Sequence, residues 1–409
     1  MQLVVNDLDS SILSYAVSRF LDESGKTRFI VTNRGTGSPS ICLSLFEHDQ
    51  MISAKSPNSI SKSLFELVYF YTWAESTRLN LDTILLNGTG ISDIQIRQFS
   101  HWLRSYKTKR RSSLTPKAFN SIIAQCARFC VWCGKWEANR PSGRNSAIIN
   151  QTADLVIRSG WRSKSIRVRI SKAAPDLTDE EIYLIEKHLR PNASIARGIS
   201  QEVAYRNYLI WHLAIEMGLR ISEILALRLQ DCPQFNKNYI NVVRIDERGD
   251  AYSDPRGVYA PRPKTLSRDL GFIIADSPLP RLLQAYISKY RYRKMQGGGK
   301  QFLLDHNFLV VTHETGDPLS IVSAISIAKA TAMQSGVPNF HWHIARHAFF
   351  NRAYAAVAEN DAYFNDLVYF GGWSDAKSLN IYIQRAIRNR ATQTLSIWQQ
   401  GNKWESLTK

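Results

Sequence analysis

The chain has 409 residues, a formal net charge of +17 and a pI near 9.7. This length allows two or three domains, and the basic charge favours a polyanionic partner, with nucleic acid first. An odd number of cysteines, five, argues against a disulfide framework, residues 1–25 lack a signal-peptide pattern, and no apolar run could span a bilayer. We therefore expect a soluble cytoplasmic protein with no membrane association.

The first 140 residues predict two kinds of structure. Residues 1–58 mix short apolar runs with a turn-rich stretch, which indicates a small N-terminal α+β segment with an arm or accessory role. From 59 to 140 the apolar spacing becomes helical. Ser92 and Gln95 have the spacing of a helix-capping pair, and Thr115-Pro116 can begin another helix. The second stretch is predicted to be a compact helical bundle.

Three cysteines in this bundle raise the question of a metal site. Cys126, Cys130 and Cys133 lie at helical spacing, and the last two form a C-x-x-C pair. A tetrahedral zinc site needs a fourth ligand, and the nearby sequence offers none. We therefore predict that these cysteines pack in the core and that no metal is bound.

Two basic stretches are candidates for DNA contact. The first is a loop between predicted helices, and the second is a linker at residues 141–175 that is rich in Ser, Asn, Arg and Lys. Lysine and arginine side chains that neutralise phosphates release counterions, which favours binding. A solvated charge run is an equally good interpretation of the loop. The predicted DNA-binding residues are Lys107, Lys109, Arg110, Arg111, Arg162, Lys164, Arg167 and Arg169.

A new domain is predicted from residue 176 to residue 409. A helix with an apolar face ends at Gly218, and Arg220 follows at the joint with the next apolar helix. An arginine there is costly to bury unless an anion meets it, either Glu223 in a structural pair or a bound ligand. Residues 238–275 then have β character, including a predicted strand at 257–260, and Lys264 falls on a hairpin before the last strand.

The stretch from 340 to 382 carries the clearest chemical pattern. His343 precedes Arg346 by three residues, so both lie on the same side of a helical turn. Trp373 follows two glycines, and Tyr382 comes nine residues later. In a strongly basic protein, a tyrosine downstream of such a pair suggests a nucleophile aimed at a phosphate. Tyr354, Tyr363 and Tyr369 are its chemical rivals.

The second half of the chain, about residues 176–395, resembles the catalytic domain of the tyrosine recombinases, the phage-integrase family. Gly218 to Glu223 match its first arginine motif, Pro263-Lys264-Thr265 resembles its hairpin lysine, and His343 to His347 match its second box. The resemblance implies a mainly α fold with a small antiparallel β-sheet. It also implies a helical core-binding domain at 59–140 and an α+β catalytic domain at 176–409. The implied catalytic residues are Arg220, Lys264, His343, Arg346, Trp373 and Tyr382, supported by Glu223 and His347.

The resemblance also implies a mechanism that the residue types can perform. Two arginines would clamp the non-bridging oxygens of a phosphodiester, and Tyr382 would attack its phosphorus. His343 would hydrogen-bond the phosphate or take the tyrosine proton, and Trp373 would donate an N–H. Lys264 would protonate the leaving 5′ oxygen. No cofactor or metal is expected.

The expected function is a site-specific recombinase or integrase of a mobile element. It would bind double-stranded DNA sites, form a homo-tetramer on two of them and associate with the nucleoid, with accessory recombination proteins as further partners. Two alternatives stay open: a DNA relaxase like the type IB topoisomerases, and a DNA-binding accessory protein with an inactive site. The separation of Arg346 from Trp373 and the long hairpin before Lys264 both depart from the family pattern.

Overall fold

The chain of this computed structural model forms two compact units, Met1–Ile170 and Ser171–Lys409. The structure describes residues 4–5, 13–53, 55–87, 90–107, 113–138, 155, 157–167, 176–233, 238–244, 247–248, 254–263, 265–271, 277–357 and 362–401.

The described part of the first unit combines helices with a three-stranded antiparallel sheet in the order β1-β2-β3. The strands are β1 (Val4–Val5), β2 (Tyr15–Leu21) and β3 (Thr27–Asn33), and Val17 lies opposite Val31. The helices are α1 (Ile41–Ile52), α2 (Pro57–Ser76), α3 (Leu81–Leu86), α4 (Asp93–Ser105), α5 (Pro116–Ala138) and α6 at residues 157–162.

Helix α2 lies at the centre of the first unit. It begins where Ser56 accepts a hydrogen bond from the Ser59 amide, with proline at the first helical position. The sheet shares its core, because Phe29 and Val31 are buried on the face of β3 that meets the helices. The predicted N-terminal segment and helical bundle thus form one core, since a three-stranded sheet must cover its apolar face.

The described part of the predicted linker is packed rather than extended. Trp161 on α6 is only 1% exposed and contacts the rings of Phe70 and Phe99 edge to face. An indole buries a large apolar area, and this outweighs the basic composition around it. Here the structure differs from the linker that the sequence predicts.

The cysteines of α5 lie in the core of the first unit. Cys126, Cys130 and Cys133 are all buried and free. Burial raises the pKa of Cys130 to about 12, so its thiol is uncharged at pH 7. Among the residues that the structure describes, no group of three His, Cys, Asp or Glu side chains could hold a metal ion.

The second unit is mainly helical, with two short antiparallel strand pairs in its described part. One pair is β4 (Tyr239–Val242) with β5 (Arg268–Gly271), and the other is β6 (Arg293–Lys294) with β7 (Lys300–Gln301). The helices are α7 (Asp179–Leu189), α8 (Pro191–Ala196), α9 (Gln201–Ile215), α10 (Ile221–Ala226), α11 (Leu279–Ala285), α12 (Ile321–Ser335), α13 (Trp342–Val357), α14 (Ala362–Gly371), α15 (Lys377–Asn380) and α16 (Gln384–Gly401).

Helices α9 and α13 form the middle of the second unit. Leu209, Trp211 and Leu213 on α9 are fully buried, as are Ala345 and Ala348 on α13. A helix that is apolar on most of its circumference belongs inside a domain, and two such helices bury each other. The ends of α9 and α13 therefore have fixed positions, and the candidate active site is built there.

One predicted strand is wrong. Residues Gly257–Tyr259 form a turn of 3₁₀ helix, in which Gly257 has a φ of +56°. The Arg256 side chain, just before it, donates to the carbonyl oxygens of Leu225 and Leu319 at 3.0 Å each. These side-chain bonds fix the segment as a turn, which apolar alternation cannot reveal.

The fold class predicted from the sequence is confirmed: the chain is mainly helical with small antiparallel sheets. No described helix combines the length and the apolar character that crossing a membrane requires.

Candidate active site

Arg220 is placed by a sharp turn between α9 and α10. Gly218 has a φ of +61°, and an added Cβ would lie 2.3 Å from the ring of Phe349. Glycine is therefore required at this position. Arg220 is the N-cap residue of α10, and its backbone N–H donates to Glu223 Oε2 at 2.9 Å. The side chain of Arg220 remains 23% exposed.

The carboxylate of Glu223 lies at the centre of the site and is fully buried. Arg268 donates to both of its oxygens, at 3.2 and 3.0 Å, and the hydroxyl of Thr265 also donates to it. Arg220 and Arg346 are more distant, at 3.4 and 3.7 Å. Burial opposes ionisation of Glu223, but the charges of Arg268 and Arg346 outweigh it and lower its pKa to about 2.

Arg346 is a fully buried cation on α13. It donates from Nη1 to the Gly218 carbonyl and from Nη2 to the Gly371 carbonyl at 2.8 Å. Its Nε has no hydrogen-bond partner among the described residues. Burial lowers its pKa to about 9, with Glu223 acting in the opposite direction, so it stays charged at pH 7.

The turn after α14 connects both of these arginines. The Gly371 carbonyl accepts from Arg220 Nη1 at 3.2 Å as well as from Arg346. Gly372 has a φ of +62°, and its carbonyl accepts from the Leu266 amide at 3.1 Å. Carbonyls at a helix C-terminus attract cations, so this turn holds the two guanidinium groups side by side.

Trp373 lies against both guanidinium groups. The Arg346 guanidinium lies 4.9 Å from the centroid of the indole, and that of Arg220 lies at 5.8 Å. The indole centroid is also 4.8 Å from that of the Tyr382 ring. Trp373 thus connects the arginines to the tyrosine through ring contacts.

Tyr382 is buried among the predicted site residues. Its ring stacks on that of His347 at 4.3 Å between centroids, and the Arg346 guanidinium lies 5.4 Å from its centroid. Its hydroxyl lies 3.4 Å from Nε2 of His343. This places a weakly nucleophilic oxygen beside a group that can accept its proton.

Both histidines of the site are neutral at pH 7. Desolvation of its ring, together with the charges of Arg346 and Arg220, lowers the pKa of His343 to about 4, although the residue as a whole is exposed. The pKa of His347 is also lowered to about 4, mainly by burial and to a smaller extent by the nearby histidines. Nδ1 of His347 has no partner among the described residues. A neutral imidazole can accept a proton, and an imidazolium cannot.

The rival tyrosines lie elsewhere in the second unit. Tyr354 is buried under Arg390 and packs on Phe364. Tyr363 is 48% exposed and Tyr369 is 52% exposed. The Tyr369 hydroxyl accepts a hydrogen bond from the Asp269 amide. Among the tyrosines named from the sequence, the structure places Tyr382 against the arginines.

Lys264 lies outside the described residues. Its neighbours Pro263 and Thr265 are buried, and Thr265 contacts Glu223. Of the predicted DNA-binding residues, Lys109, Arg110, Arg111 and Arg169 also lie outside the described residues.

The remaining predicted DNA-binding residues are in the first unit. Lys107, Arg162 and Arg167 are exposed. Lys164 is different, because its ammonium lies 2.9 Å from a carboxylate oxygen of Asp93 and its side chain is only 16% exposed. Lys164 therefore has a structural ion pair that the sequence did not indicate.

Arg268 belongs to the site as well, although it is not among the residues predicted from the sequence. Its side chain is fully buried, donates from Nε to the Phe370 carbonyl at 2.7 Å, and forms the ion pair with Glu223. One signal was present: on β5, Arg268 and Leu270 both face inward, with the exposed Asp269 between them. An arginine at an inward position implies a buried anion.

Comparison with known proteins identifies the family. Residues 177–388, slightly more than half of the chain, match the model of the phage integrase family. The chain belongs to this family. Arg220, Arg346 and Tyr382 all fall inside the matched region. No curated protein sequence matches the chain.

Two solved structures share the fold of this phage integrase family member. One is the Tn1549 transposon integrase in complex with transposon right end DNA, at 15% identity and a TM-score of 0.53, covering 86% of this chain and 98% of that one. The other is the XerH site-specific recombinase bound to a palindromic difH substrate, at 15% identity and a TM-score of 0.50, covering 84% and 79%. At these identities the likeness concerns the fold.

Proposed function

We propose that this protein is a site-specific DNA recombinase or integrase of a mobile element that cuts and rejoins DNA through a 3′-phosphotyrosine intermediate. One observation carries the proposal: the Tyr382 hydroxyl lies 3.4 Å from a neutral His343, and its ring lies beside Arg346, whose Nε has no hydrogen-bond partner in the part of the chain that the structure describes. Family membership and the structural likeness to a transposon integrase support it.

The cluster around Glu223 is suited to bind a phosphodiester. Three guanidinium groups, those of Arg220, Arg268 and Arg346, surround one carboxylate. This leaves an excess of two positive charges in a largely buried site, where electrostatic interactions are strong. Attack on phosphorus increases the negative charge on the non-bridging oxygens, so cations fixed in advance stabilise the transition state more than the ground state. Arg220 and Arg346 would make these contacts.

The remaining residues transfer protons and position the reacting groups. His343 takes the proton of Tyr382 as its oxygen bonds to phosphorus, or holds the phosphate by a hydrogen bond. The bond from phosphorus to the 5′ oxygen breaks, and Lys264 gives that oxygen its proton. Trp373 donates its indole N–H to a phosphate oxygen and cannot transfer a proton. Glu223 and His347 support the arginines and the tyrosine.

The covalent intermediate conserves the energy of the broken bond. A 5′-hydroxyl from a second strand attacks the phosphotyrosine, Tyr382 leaves, and the DNA backbone is restored with no external energy source. Each step exchanges one phosphoester bond for another.

We also propose a homo-tetramer on two duplex sites, in which strands exchange between neighbouring protomers. Accessory recombination proteins are proposed as further partners at the nucleoid.

Duplex DNA is the proposed substrate, and one of the solved structures reported above, the Tn1549 transposon integrase, is in complex with transposon DNA. The net charge of +17 supports this choice. Lys107, Arg162 and Arg167 are the exposed candidates for backbone contact in the first unit. Replacing any one of them with glutamine should weaken DNA binding at all sequences and reduce the salt slope by about one.

The test is covalent adduct formation on a nicked suicide duplex made from the ends of the DNA element that encodes the protein. Wild type, Tyr382→Phe and Tyr369→Phe are incubated with excess chelator and separated on denaturing gels. We expect an adduct for wild type and Tyr369→Phe but none for Tyr382→Phe. Binding without adduct in wild type, or an adduct in Tyr382→Phe, would contradict the proposal. A two-site assay then separates strand exchange from simple relaxation.

A further inference from the structure

Arg268 joins three parts of the second unit. From β5 it donates from Nε to the Phe370 carbonyl of α14 at 2.7 Å. Its Nη1 and Nη2 donate to Glu223 of α10 at 3.2 and 3.0 Å, and Nη1 lies 3.4 Å from the Leu266 carbonyl. Its side chain is fully buried, and each of its three guanidinium nitrogens already has an acceptor within the protein, whereas Nε of Arg346 has none among the described residues.

The distances around Glu223 divide the three arginines into two groups. Arg268 binds both carboxylate oxygens in the fork-to-fork manner, which is the strongest arginine–carboxylate geometry. Arg220 and Arg346 lie farther away, at 3.4 and 3.7 Å from the same carboxylate. An oxygen that already accepts two donors at short range attracts a third only weakly. The carboxylate is therefore largely neutralised by Arg268.

This division matters because an N–H group that donates a short bond to Glu223 is not available to a phosphate oxygen. If Arg268 were absent, the buried charge of Glu223 would have to be met by the nearest remaining cations, since an unpaired buried carboxylate is very costly. Those cations are Arg220 and Arg346, which need to move by less than 1 Å to make short bonds.

We propose that Arg268 is a positioning residue that occupies Glu223 and so keeps Arg220 and Arg346 available for the scissile phosphate. This role rests on the proposed function. Arg268 acts through the other two arginines and does not contact the substrate. Gly372 is part of the same device, because a Cβ there would lie 2.7 Å from Nη1 of Arg268.

The proposal predicts a specific coupling between Arg268 and Glu223. Arg268→Met alone should slow adduct formation at saturating suicide duplex about 100-fold, because Glu223 then captures the clamp arginines. Removing that carboxylate as well, in Arg268→Met/Glu223→Gln, should restore the rate to within about tenfold of wild type. The dissociation constant for DNA should change less than about threefold in both, because most DNA contacts lie elsewhere.

A matched control separates this role from the general cost of losing a buried arginine. Arg291 is also buried in the second unit, and it donates to the carbonyls of Phe308 and His306 at 2.8 Å each. Arg291→Met should lower the melting temperature without changing the adduct rate of the folded protein.

A substrate analogue gives a second test. A scissile methylphosphonate, which removes a phosphate charge, should reduce the Arg268→Met defect to about tenfold or less, because the clamp arginines then have less negative charge to stabilise.

The double variant decides the outcome. If it folds and is as slow as Arg268→Met, or slower, the positioning role is wrong. If Arg268→Met does not fold, Arg268→Gln with and without Glu223→Gln replaces it, and a rescue of at least threefold by Glu223→Gln is required. A wild type that forms no adduct overturns the proposed function, and this role with it. An active wild type without rescue overturns the Arg268 role alone.

Discussion

Two largely buried charge clusters in the second unit differ in the sign of their charge and in how fully that charge is compensated. In one, Arg220, Arg268 and Arg346 surround Glu223. In the other, His212 lies between two carboxylates, with Nδ1 bound to Glu216 and Nε2 3.5 Å from Glu186. The two clusters are connected by α9 and the turn that follows it, which carries Glu216 and then Arg220.

The second cluster is completed by neutral donors of the protein. Glu186 accepts from the hydroxyl of Tyr208 and from the indole N–H of Trp211 at 2.7 Å, and Glu216 accepts from the hydroxyl of Ser277. The first cluster, in contrast, keeps excess positive charge. Each cluster has one buried nitrogen without a hydrogen-bond partner among the described residues, Nε of Arg346 in the first and Nε2 of His212 in the second. Burial and shifted pKa values are common to both, so it is the uncompensated charge that indicates a ligand site.

The largest expected effect is a loss of stability that the two clusters share. Glu223→Gln and Glu186→Gln each leave buried cations or donors without their acceptor, which should cost about 3–5 kcal/mol for Glu223 and less for the more exposed Glu186. Chemical denaturation at pH 7 measures this cost. Only Glu223→Gln should also slow adduct formation, and equal slowing by both variants would remove the distinction between the clusters.

The same carboxylates predict a shared dependence on pH. Burial opposes ionisation of both, but Arg268 for Glu223 and His212 for Glu186 lower each pKa to about 2. The unfolded value is about 4.3, so their stabilisation is present above that pH and is lost as the pH falls toward 2. In either glutamine variant, this part of the acid destabilisation should be absent from denaturation curves recorded between pH 5 and pH 2.5.

The next largest effect concerns the arginine fork. Arg346→Lys keeps a positive charge but loses the two bonds to the Gly218 and Gly371 carbonyls and the planar fork. We expect adduct formation at saturating DNA to slow by about 100- to 1,000-fold. The matched control is Arg190→Lys, which changes an exposed arginine that forms an ion pair with Glu186. This variant should cleave at the wild-type rate. A loss below tenfold for Arg346→Lys would argue against a clamp.

A smaller effect should appear in the pH profile of cleavage. With the pKa of His343 at about 4, its imidazole is neutral and can accept a proton throughout the range from pH 6 to pH 8. The second-order cleavage rate, measured at limiting DNA, should therefore show no limb from this residue above about pH 5 and should fall below it. A limb centred near pH 6.5 that disappears in His343→Gln would contradict this.

The smallest expected effect concerns the second cluster, around His212. Burial alone would lower the pKa of His212, but Glu186 and Glu216 outweigh it and raise the pKa. A raised pKa gives stabilisation that is complete below the unfolded value of about 6.5 and is lost as the pH rises through the folded value. His212→Gln should cost about 1 kcal/mol at pH 6 and less at pH 9. Its adduct rate at pH 7 should equal that of wild type.

The sequence singled out residues that the structure brings together, but it did not indicate all of their partners. Arg220, Arg346 and Tyr382 could be located because each motif is short and its spacing fixes a helical turn or cap. The partner of Arg268 could not be predicted, because its acceptor Glu223 lies 45 residues away in the chain. The alternation on β5 can indicate that Arg268 faces inward, but it cannot identify a distant acceptor.

The first unit shows the same limit. The helices α2, α4 and α5 follow from capping residues and apolar spacing, and these signals are local. Trp161 sits in a basic stretch with no apolar periodicity, and its burial depends on the aromatic cluster of Phe70 and Phe99. A side chain whose pocket is built by distant residues cannot be assigned to a core from composition.

The most direct test of the account is to identify the amino acid that carries the DNA. Trypsin separates Tyr382, the one tyrosine of the peptide 378–385, from Tyr354, Tyr363 and Tyr369, which fall together in the peptide 353–377. The covalent adduct is treated with nuclease and trypsin, and the nucleotide-bearing peptide is sequenced by mass spectrometry. The account predicts a nucleotide on Tyr382 of the peptide 378–385. A nucleotide on any residue of the peptide 353–377 would contradict it.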